Sequence, residues 1–234
     1  MVEGAQSSHS RGPSPPDDNP AVNTSDPDTD TVAVLDFETT GMSPAMGARA
    51  TEIAVVLVRG GRVVDRYPSL MNSGAWVPPF IEQLTGISNR MLASAPPAGQ
   101  VMREVAEFTR GCALVAHNAS FDRGFWLHEM ALAEAATTAS SPSFGCTLLL
   151  SRRLYPEAAN HKLGTLARFH GITPTGRAHR ALADAEMTAD LWLRIVRDVQ
   201  DRYAATVSFG LLCALQRTPR QQLSRQVARY FAAD

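Results

Sequence analysis

The amino-acid sequence predicts an α/β fold with a mixed sheet. Its ordered part opens with three β-type runs, TVAVLDFETT, TEIAVVLV and RVVDRYPSL, and the pair Gly60–Gly61 joins the last two as in a hairpin. Apolar residues at helical spacing follow, interrupted by the short buried run CALVAHN at 112–118. Strands first, then alternating helix and strand, are typical of α/β proteins in which helices cover a mixed sheet.

The helical spacing also predicts where the helices lie. Ser120 is the expected N-cap of the helix that follows the strand at 112–118. The helices are predicted near 78–87 and 98–111, after Ser120, and over 147–154, 163–169, 180–199 and 205–233. The last of these has an apolar stripe of Leu211, Leu212, Leu215, Leu223, Val227 and Phe231.

Composition divides the 234 residues into three regions. Residues 1–30 are rich in Ser, Pro and Asp and nearly free of large apolar residues, so we expect a disordered N-terminal tail. Residues 31–200 form the predicted folded domain, and residues 201–234 a C-terminal helical extension. The tail holds six of the 23 acids and one of the 22 bases, which leaves the remainder with a charge of about +4, suited to a polyanionic partner.

The cysteines and the hydropathy indicate the cellular setting. Cys112, Cys146 and Cys213 are far apart and form no CxxC pair, so we expect reduced thiols. No apolar signal region or membrane-spanning run is visible in the sequence. We therefore expect a cytoplasmic protein with no membrane partner.

Two carboxylates lie at the end of the first predicted strand. Asp36 and Glu38 project from one face, whereas Leu35 and Phe37 point to the other. Two such charges about 4 Å apart repel by about 4 kcal/mol at an effective dielectric near 20, and a divalent cation such as Mg²⁺ or Mn²⁺ would reverse the sign. An isolated D-x-E is more often a polar strand end, so the pair needs support from elsewhere in the chain.

Two later segments supply that support. HNASFD ends in Asp122 directly after the predicted strand 112–118, at the sheet edge where ligands gather in α/β proteins. HRALADA places His179 at the start of a long helix and Asp184 one turn further in, while Glu186 should face elsewhere. Each segment alone has a structural explanation, because the helix dipole favours an aspartate at a helix start and a lone histidine is more often structural.

Together the three segments resemble the motifs of the DnaQ-like DEDDh 3′→5′ exonuclease family, which includes the proofreading epsilon subunit and ribonuclease T. D-x-E-T-T-G, N-x-x-F-D and H-x-A-x-x-D occur in that order, and the resemblance covers roughly residues 31–200. It implies a ribonuclease H-like fold, a five-stranded mixed sheet with three antiparallel strands first and helices on both faces. It also implies release of nucleoside 5′-monophosphates from 3′ ends.

The resemblance implies a role for each matched residue. His179 would be the general base, and two Mg²⁺ (or Mn²⁺) ions would be the cofactors. The implied metal ligands are Asp36, Glu38, Asp122 and Asp184, and the implied substrate contacts are Thr39, Thr40, Leu84, Thr85 and Phe121. Thr85 stands where some relatives have a histidine, which removes an aromatic side chain from that point.

Three functions remain open at this point. The first is a DNA exonuclease resembling the proofreading subunit of bacterial DNA polymerase III. The second is an RNA 3′-trimming enzyme of the ribonuclease T or oligoribonuclease kind. The third is an inactive nucleic-acid-binding scaffold, which the presence of all five ionisable motif residues disfavours. The expected partners are a single-stranded 3′ end and a DNA polymerase or clamp.

Overall fold

A five-stranded mixed sheet forms the centre of the protein, which the computed structural model describes over residues 31–135 and 143–232, together with Met1. Its strands are β1 (Val32–Thr39), β2 (Ala50–Arg59), β3 (Arg62–Leu70), β4 (Ala113–Ala116) and β5 (Phe144–Cys146). Their spatial order is β3–β2–β1–β4–β5. The first three are antiparallel, and β4 and β5 run parallel to β1, as the resemblance implied.

The glycine pair explains the β2–β3 hairpin, and the short length of β5 explains why the sequence does not locate that strand. Gly60 and Gly61 have φ angles of 57° and 75°, and a two-residue type I′ turn requires positive φ at both of its central residues. The predicted β2–β3 hairpin is therefore confirmed. The sequence pattern does not locate β5, because a strand of three residues is too short to show an alternating pattern.

Helices cover both faces of the sheet. They are α1 (Pro79–Thr85), α2 (Asn89–Ala93), α3 (Ala98–Phe108), α4 (Ala119–Leu132), α5 (Thr147–Leu154), α6 (Leu163–His170), α7 (Ala181–Tyr203), α8 (Phe209–Leu215) and α9 (Leu223–Phe231). Helices α3 and α4 pack with Leu35 and Phe37 on one face, and α5 to α9 pack with Val32 and Val34 on the other. None of the described helices is both apolar and long enough for a bilayer crossing.

Two of the sequence predictions need correction. Helix α4 begins at Ala119 with Asn118 as its N-cap, so Ser120 lies inside the first turn and cannot cap it. The predicted helix over 205–233 is two helices separated at Pro219, which has no backbone N–H to continue a helix. Phe231 is 42% exposed and leaves the apolar stripe, whereas the other five members are buried. The predicted N-terminal tail lies outside the described residues, apart from Met1.

The C-terminal helices close the sheet at β5. The side-chain oxygen of buried Gln216 accepts a hydrogen bond from the backbone N–H of Cys146 at 2.7 Å, and its amide nitrogen donates to the carbonyl of Phe144 at 3.0 Å. The amide thus pairs with the open strand edge as a neighbouring strand would. The described part of residues 201–234 therefore packs on the same core as the preceding domain.

Candidate active site

Asp36 and Glu38 lie together on the face of β1 that α7 covers. They follow Val32 and Val34 on that face, while the intervening Phe37 enters the opposite core. This is the arrangement that strand alternation predicts. Glu38 is 9% exposed, so its carboxylate lies in a largely dehydrated position at the carboxyl end of the strand.

Asp122 reaches the same strand end from the opposite face of the sheet. It lies in the first turn of α4 and is 1% exposed. Its Oδ1 accepts a hydrogen bond from the backbone N–H of Phe37 at 3.2 Å. Because Phe37 stands between Asp36 and Glu38, this bond holds the Asp122 carboxylate against the segment that carries both acids.

His179 and Asp184 complete the cluster from the start of α7. His179 has a left-handed backbone with φ of 59°, and its N–H donates to Asp184 Oδ2 at 3.1 Å. One side-chain ligand atom from each of Glu38, His179 and Asp184 lies within 4.8 Å of the others. The structure therefore assembles at one sheet edge the residues that the sequence placed on three separate elements.

Burial and mutual repulsion shift the ionisation of these acids. Burial raises the pKa of Asp36 well above its usual range, and the charges of Asp122, Asp184 and Glu38 add to that effect. Burial, followed by Asp184, raises the pKa of Glu38 to about 8. Burial likewise raises the pKa of Asp122 to about 7, against the N–H of Phe37, which lowers it. The pKa of Asp184 is also raised, chiefly by burial.

This donor set fits divalent cations. Carboxylate oxygens are the ligands that Mg²⁺ and Mn²⁺ prefer. Carboxylates crowded together in a poorly hydrated site are stabilised by a positive charge between them. The acidic residues of the cluster could therefore hold a metal ion.

The sequence did not identify Glu52, a buried acid directly opposite Glu38 in the β1–β2 pairing. Like charges directly opposite one another destabilise a sheet. Arg180 compensates for part of this charge through a forked ion pair with Glu52, at 2.7 and 3.1 Å. The only signal in the sequence was a charged residue in the otherwise apolar run TEIAVVLV.

A second buried carboxylate, Glu129, ties α4 to the start of β2. It binds the guanidinium of Arg49 through two hydrogen bonds of 2.9 Å and accepts the N–H of Ala50 at 3.0 Å. Arg49 in turn donates its backbone N–H to Thr40 Oγ1 at 3.0 Å. The helix that carries Asp122 is thus connected to the segment that follows β1.

The predicted substrate contacts have different surroundings. The hydroxyl of Thr39 donates to the carbonyl of Gly41 at 2.7 Å, and Thr40 accepts from Arg49, so both side chains are engaged within the protein. Phe121 is half-buried and packs on Phe125 with ring centroids 5.0 Å apart.

The two predicted contacts on α1 differ from one another. Leu84 is 47% exposed and can reach a ligand. Thr85 is 1% exposed, and its hydroxyl donates to the carbonyl of Ile81 and accepts from the N–H of Ile87. The Thr85 side chain therefore faces inward with its hydrogen bonds satisfied, and its contact with substrate stays a prediction.

Glu186 lies away from the cluster, as helix geometry predicts. Its carboxylate pairs with Arg66 of β3 and with the hydroxyl of Thr175. It shares a helix with Asp184 but has different partners, so it serves as a control position.

Comparison with known proteins identifies the family. A family model described as exonuclease (RNase_T) matches residues 33–192. The chain belongs to this exonuclease family. It is 39% identical over 173 residues to a PolC-type DNA polymerase III of Bacillus subtilis (strain 168), covering 74% of the chain and 12% of that protein. It is 36% identical over 167 residues to the 3′-5′ exonuclease DinG of the same strain, covering 71% of the chain and 18% of DinG.

Solved exonuclease structures share the fold. Exonuclease X in complex with 5′ overhanging duplex DNA has a TM-score of 0.57 and 27% identity, over 75% of this chain and 94% of that one. The nuclease domain of 3′hExo, a DEDDh family member bound to rAMP, has a TM-score of 0.61 and 21% identity, over 72% of this chain and 92% of that one. The ribonuclease H-like fold is thereby confirmed, and residues 33–192 form a 3′→5′ exonuclease domain of this family.

Proposed function

We propose that this exonuclease removes nucleotides from the 3′ end of single-stranded DNA and releases nucleoside 5′-monophosphates. The observation that carries the proposal is the convergence of four carboxylates and one histidine at the carboxyl end of β1. DNA is favoured as the substrate because the matched relatives include a DNA polymerase, and because exonuclease X was solved with DNA.

Metal binding is proposed for the four motif carboxylates. Asp36, Glu38, Asp122 and Asp184 would hold two Mg²⁺ or Mn²⁺ ions. When bound, such ions polarise the attacking water and offset the charge that develops on the leaving 3′-oxygen. The pKa values of all four acids are raised. This is the direction expected when the positive charges of the protein do not fully compensate the negative charge of the cluster.

His179 is proposed to accept the proton of the attacking water. An imidazole nitrogen can accept a proton from a water within hydrogen-bond reach, which is the usual role of histidine in general base catalysis. Its ligand nitrogen lies within 4.8 Å of the Glu38 and Asp184 oxygens, and the N–H bond to Asp184 fixes its backbone. The proton would then pass through solvent to the leaving 3′-oxygen, which becomes the 3′-hydroxyl of the shortened strand.

Contacts to the terminal nucleotide are proposed for three places around the cluster. The backbone at Thr39 and Thr40 would approach its phosphate and sugar, because both side chains are already engaged. The half-buried ring of Phe121 would contact the sugar and base. The exposed side chain of Leu84 would wedge between the last two bases.

A proofreading role beside a polymerase is proposed on the likeness to PolC, of which the chain spans only 12%. Such a role requires faster removal of a mismatched than of a paired 3′ nucleotide. Primer–template duplexes with paired and mismatched ends, digested with and without a polymerase, test it. Equal rates on both ends would contradict the role without affecting the exonuclease activity.

Side-by-side digestion tests the substrate. Single-stranded DNA, duplex DNA and RNA of one sequence, each labelled at the 5′ end, would be incubated with Mg²⁺ or with excess chelator. We expect stepwise shortening from the 3′ end, with single-stranded DNA fastest and no digestion in chelator. Fastest digestion of RNA would instead assign the chain to RNA 3′-trimming.

A further inference from the structure

We propose that a basic groove beside the catalytic cluster binds the phosphates of the DNA strand on the 5′ side of the terminal nucleotide. This inference rests on the proposed activity on single-stranded DNA. The groove consists of two cavities, of about 500 and 540 Å³, at the carboxyl ends of β4 and β5. Asn118, Leu148 and Arg152 line both cavities, which therefore adjoin.

The charge of the groove has one sign. Arg123, Arg152 and Arg217 line the first cavity, and Arg152 and Lys162, the only lysine of the sequence, line the second. Among the described residues, no Asp or Glu lines either cavity. Cations gathered in a concave surface focus a positive potential there, which attracts a polyanion.

Three of these cations are available to a ligand. Arg152, Lys162 and Arg217 are exposed. Within residues 31–135 and 143–232, none of the three forms an ion pair with a carboxylate. In the same part of the chain, Arg49, Arg66, Arg180 and Arg194 do form such pairs. Arg152, Lys162 and Arg217 therefore serve no ion pair within the described residues, whereas a phosphate backbone would neutralise them.

The groove begins where the catalytic cluster ends. Asn118, Ala119 and Ser120 line the first cavity, and Asp122 follows two residues later in the same helix turn. Strands β4 and β5 are the first and second neighbours of β1 on that side. At about 4.8 Å per strand, the groove lies on the order of 5–10 Å from the strand that carries Asp36 and Glu38. Nucleotides adjoining the scissile phosphate fall within that distance.

The remaining lining suits a single strand. Asn118, Ser120 and Asn160 can donate hydrogen bonds to phosphate and sugar oxygens. Leu148, between the two cavities, offers an apolar surface to a base. A lining of cations, neutral donors and one apolar wall recognises the backbone without reading the sequence, as removal of successive nucleotides requires.

A charge-matched pair of triple variants tests the groove. The groove variant is Arg152→Gln, Lys162→Gln and Arg217→Gln. The control variant is Arg62→Gln, Arg225→Gln and Arg229→Gln, three exposed arginines on β3 and α9 that lose the same net charge. Thermal melting of both variants checks that the fold is kept.

Binding is measured with a fluorescent thymidine oligonucleotide of about twelve nucleotides, in chelator, over a range of salt concentrations. Removal of each cation that binds a phosphate should reduce the slope of log K against log salt by about 0.7, so the groove variant should lose about two units of slope. Its Kd should rise at least about tenfold at low salt, and the control variant should keep nearly the wild-type slope. The KM for this oligonucleotide should rise with kcat unchanged, and both constants for a thymidine dinucleotide should stay near wild type.

The outcomes separate the groove from the activity. Equal slopes of log K against log salt for the groove and control variants would refute phosphate binding by the groove, even if the wild-type chain digests DNA. A fall in dinucleotide kcat in the groove variant would also overturn it, because the charges would then act on the reaction itself. A wild-type chain that binds the oligonucleotide through these residues but digests no DNA would support the groove and refute the proposed substrate.

Discussion

Arg180 and Glu52 form a forked ion pair that joins the start of α7 to β2. One oxygen of the Glu52 carboxylate also accepts the backbone N–H of Ala181 at 3.0 Å. The first backbone N–H groups of a helix have no partner within the helix. The N-cap residue of α7, Arg180, accepts none of them with its side chain, and Glu52 accepts one of them instead. Because His179 directly precedes Arg180, the ion pair also fixes the backbone on which the proposed general base stands.

Arg180→Gln is expected to reduce both stability and turnover. It leaves the buried Glu52 carboxylate beside Glu38 without its cation, which should cost about 1–3 kcal/mol of unfolding free energy. The loop that carries His179 loses its anchor to β2, so kcat should fall at least about tenfold, which corresponds to about 1.4 kcal/mol of activation free energy. Thermal melting and single-turnover kinetics measure the two effects.

Arg194→Gln is the matched control for this prediction. Arg194 lies on the same helix and pairs with Asp198 at the surface, so its loss should change stability by no more than about 1 kcal/mol and leave kcat unchanged. Arg180→Lys, which keeps the charge but not the fork, should recover part of the activity. Similar losses of kcat in the Arg180→Gln and Arg194→Gln variants would contradict the anchoring role.

The sequence predicted the acids that converge at the end of β1 better than it predicted the groups that hold them. Strand alternation predicts that Asp36 and Glu38 project together, and the resemblance of the three motifs adds Asp122 and Asp184 to them. The pairing of Glu52 with Arg180 depends on the β1–β2 register and on where α7 begins, and a local pattern contains neither. The resemblance placed Thr85 among the substrate contacts, but a local match does not show which side of a short helix the surrounding chain covers.

The sheet and the C-terminal region show a similar limit. The longer β-type runs located β1, β2 and β3, whereas β5, with three residues, left no pattern. The apolar stripe predicted for the C-terminal helical extension is correct up to Val227. The break at Pro219 and the exposure of Phe231 depend on how α9 is oriented on the core, which is a property of packing rather than of local sequence.

Without metal ions, stability should fall as pH rises from about 6.5 to about 8. The folded-state pKa of Glu38 is about 8 and that of Asp122 about 7, both above their ordinary values of 4.5 and 3.8. The folded chain therefore binds these protons more tightly than the unfolded chain, and the stability this supplies at low pH is lost as the groups ionise. Burial lowers the pKa of His117 to about 4 from 6.5, so its opposing effect lies mostly below this window.

Calorimetric melting in chelator and in saturating Mg²⁺ measures this dependence. The melting temperature should fall by several degrees across the window in chelator, at roughly 2–4 °C per kcal/mol. Mg²⁺ should reduce the fall, because the cation binds the deprotonated carboxylates. Glu38→Gln should reduce it as well. A melting temperature that rises with pH in chelator would exclude a repulsive carboxylate cluster.

Gln216→Ala should destabilise the sheet edge. It leaves the N–H of Cys146 and the carbonyl of Phe144 without their partner in a buried place, at a cost of about 1–3 kcal/mol of unfolding free energy. Gln221→Ala removes the same side chain at an exposed position and should have little effect. Urea unfolding compares the two variants. Equal midpoints would mean that the edge of β5 does not need this amide.

Deleting residues 1–30 tests the proposed boundary between the tail and the catalytic domain. The composition of this segment argues against a packed core, so melting temperature and turnover should stay nearly unchanged. A truncation that stops after residue 204 serves as the contrast, since it removes the buried Leu211, Leu212 and Leu215 and should unfold readily. A large loss of stability on deleting the first 30 residues would show that they contribute to the folded domain.

Asp184→Asn should separate a functional carboxylate from one that supports the fold. The amide keeps the size of the side chain and can still accept the N–H of His179, but it removes an anionic ligand from the cluster. We expect kcat to fall by orders of magnitude. Because burial raises the pKa of this aspartate, loss of its charge should leave stability without metal unchanged or increase it.

Glu186→Gln provides the contrast on the same helix. Glu186 pairs with Arg66 and Thr175 near the surface, so the change should cost no more than about 1 kcal/mol of stability and leave turnover near wild type. Kinetics and melting curves for both variants, with and without Mg²⁺, distinguish the two positions. A chain with Asp184→Asn that is less stable without metal would indicate that Asp184 supports the fold through an ion pair. Near-normal turnover in that variant would remove Asp184 from the proposed metal ligands, and the two-ion arrangement would then lose its support from α7.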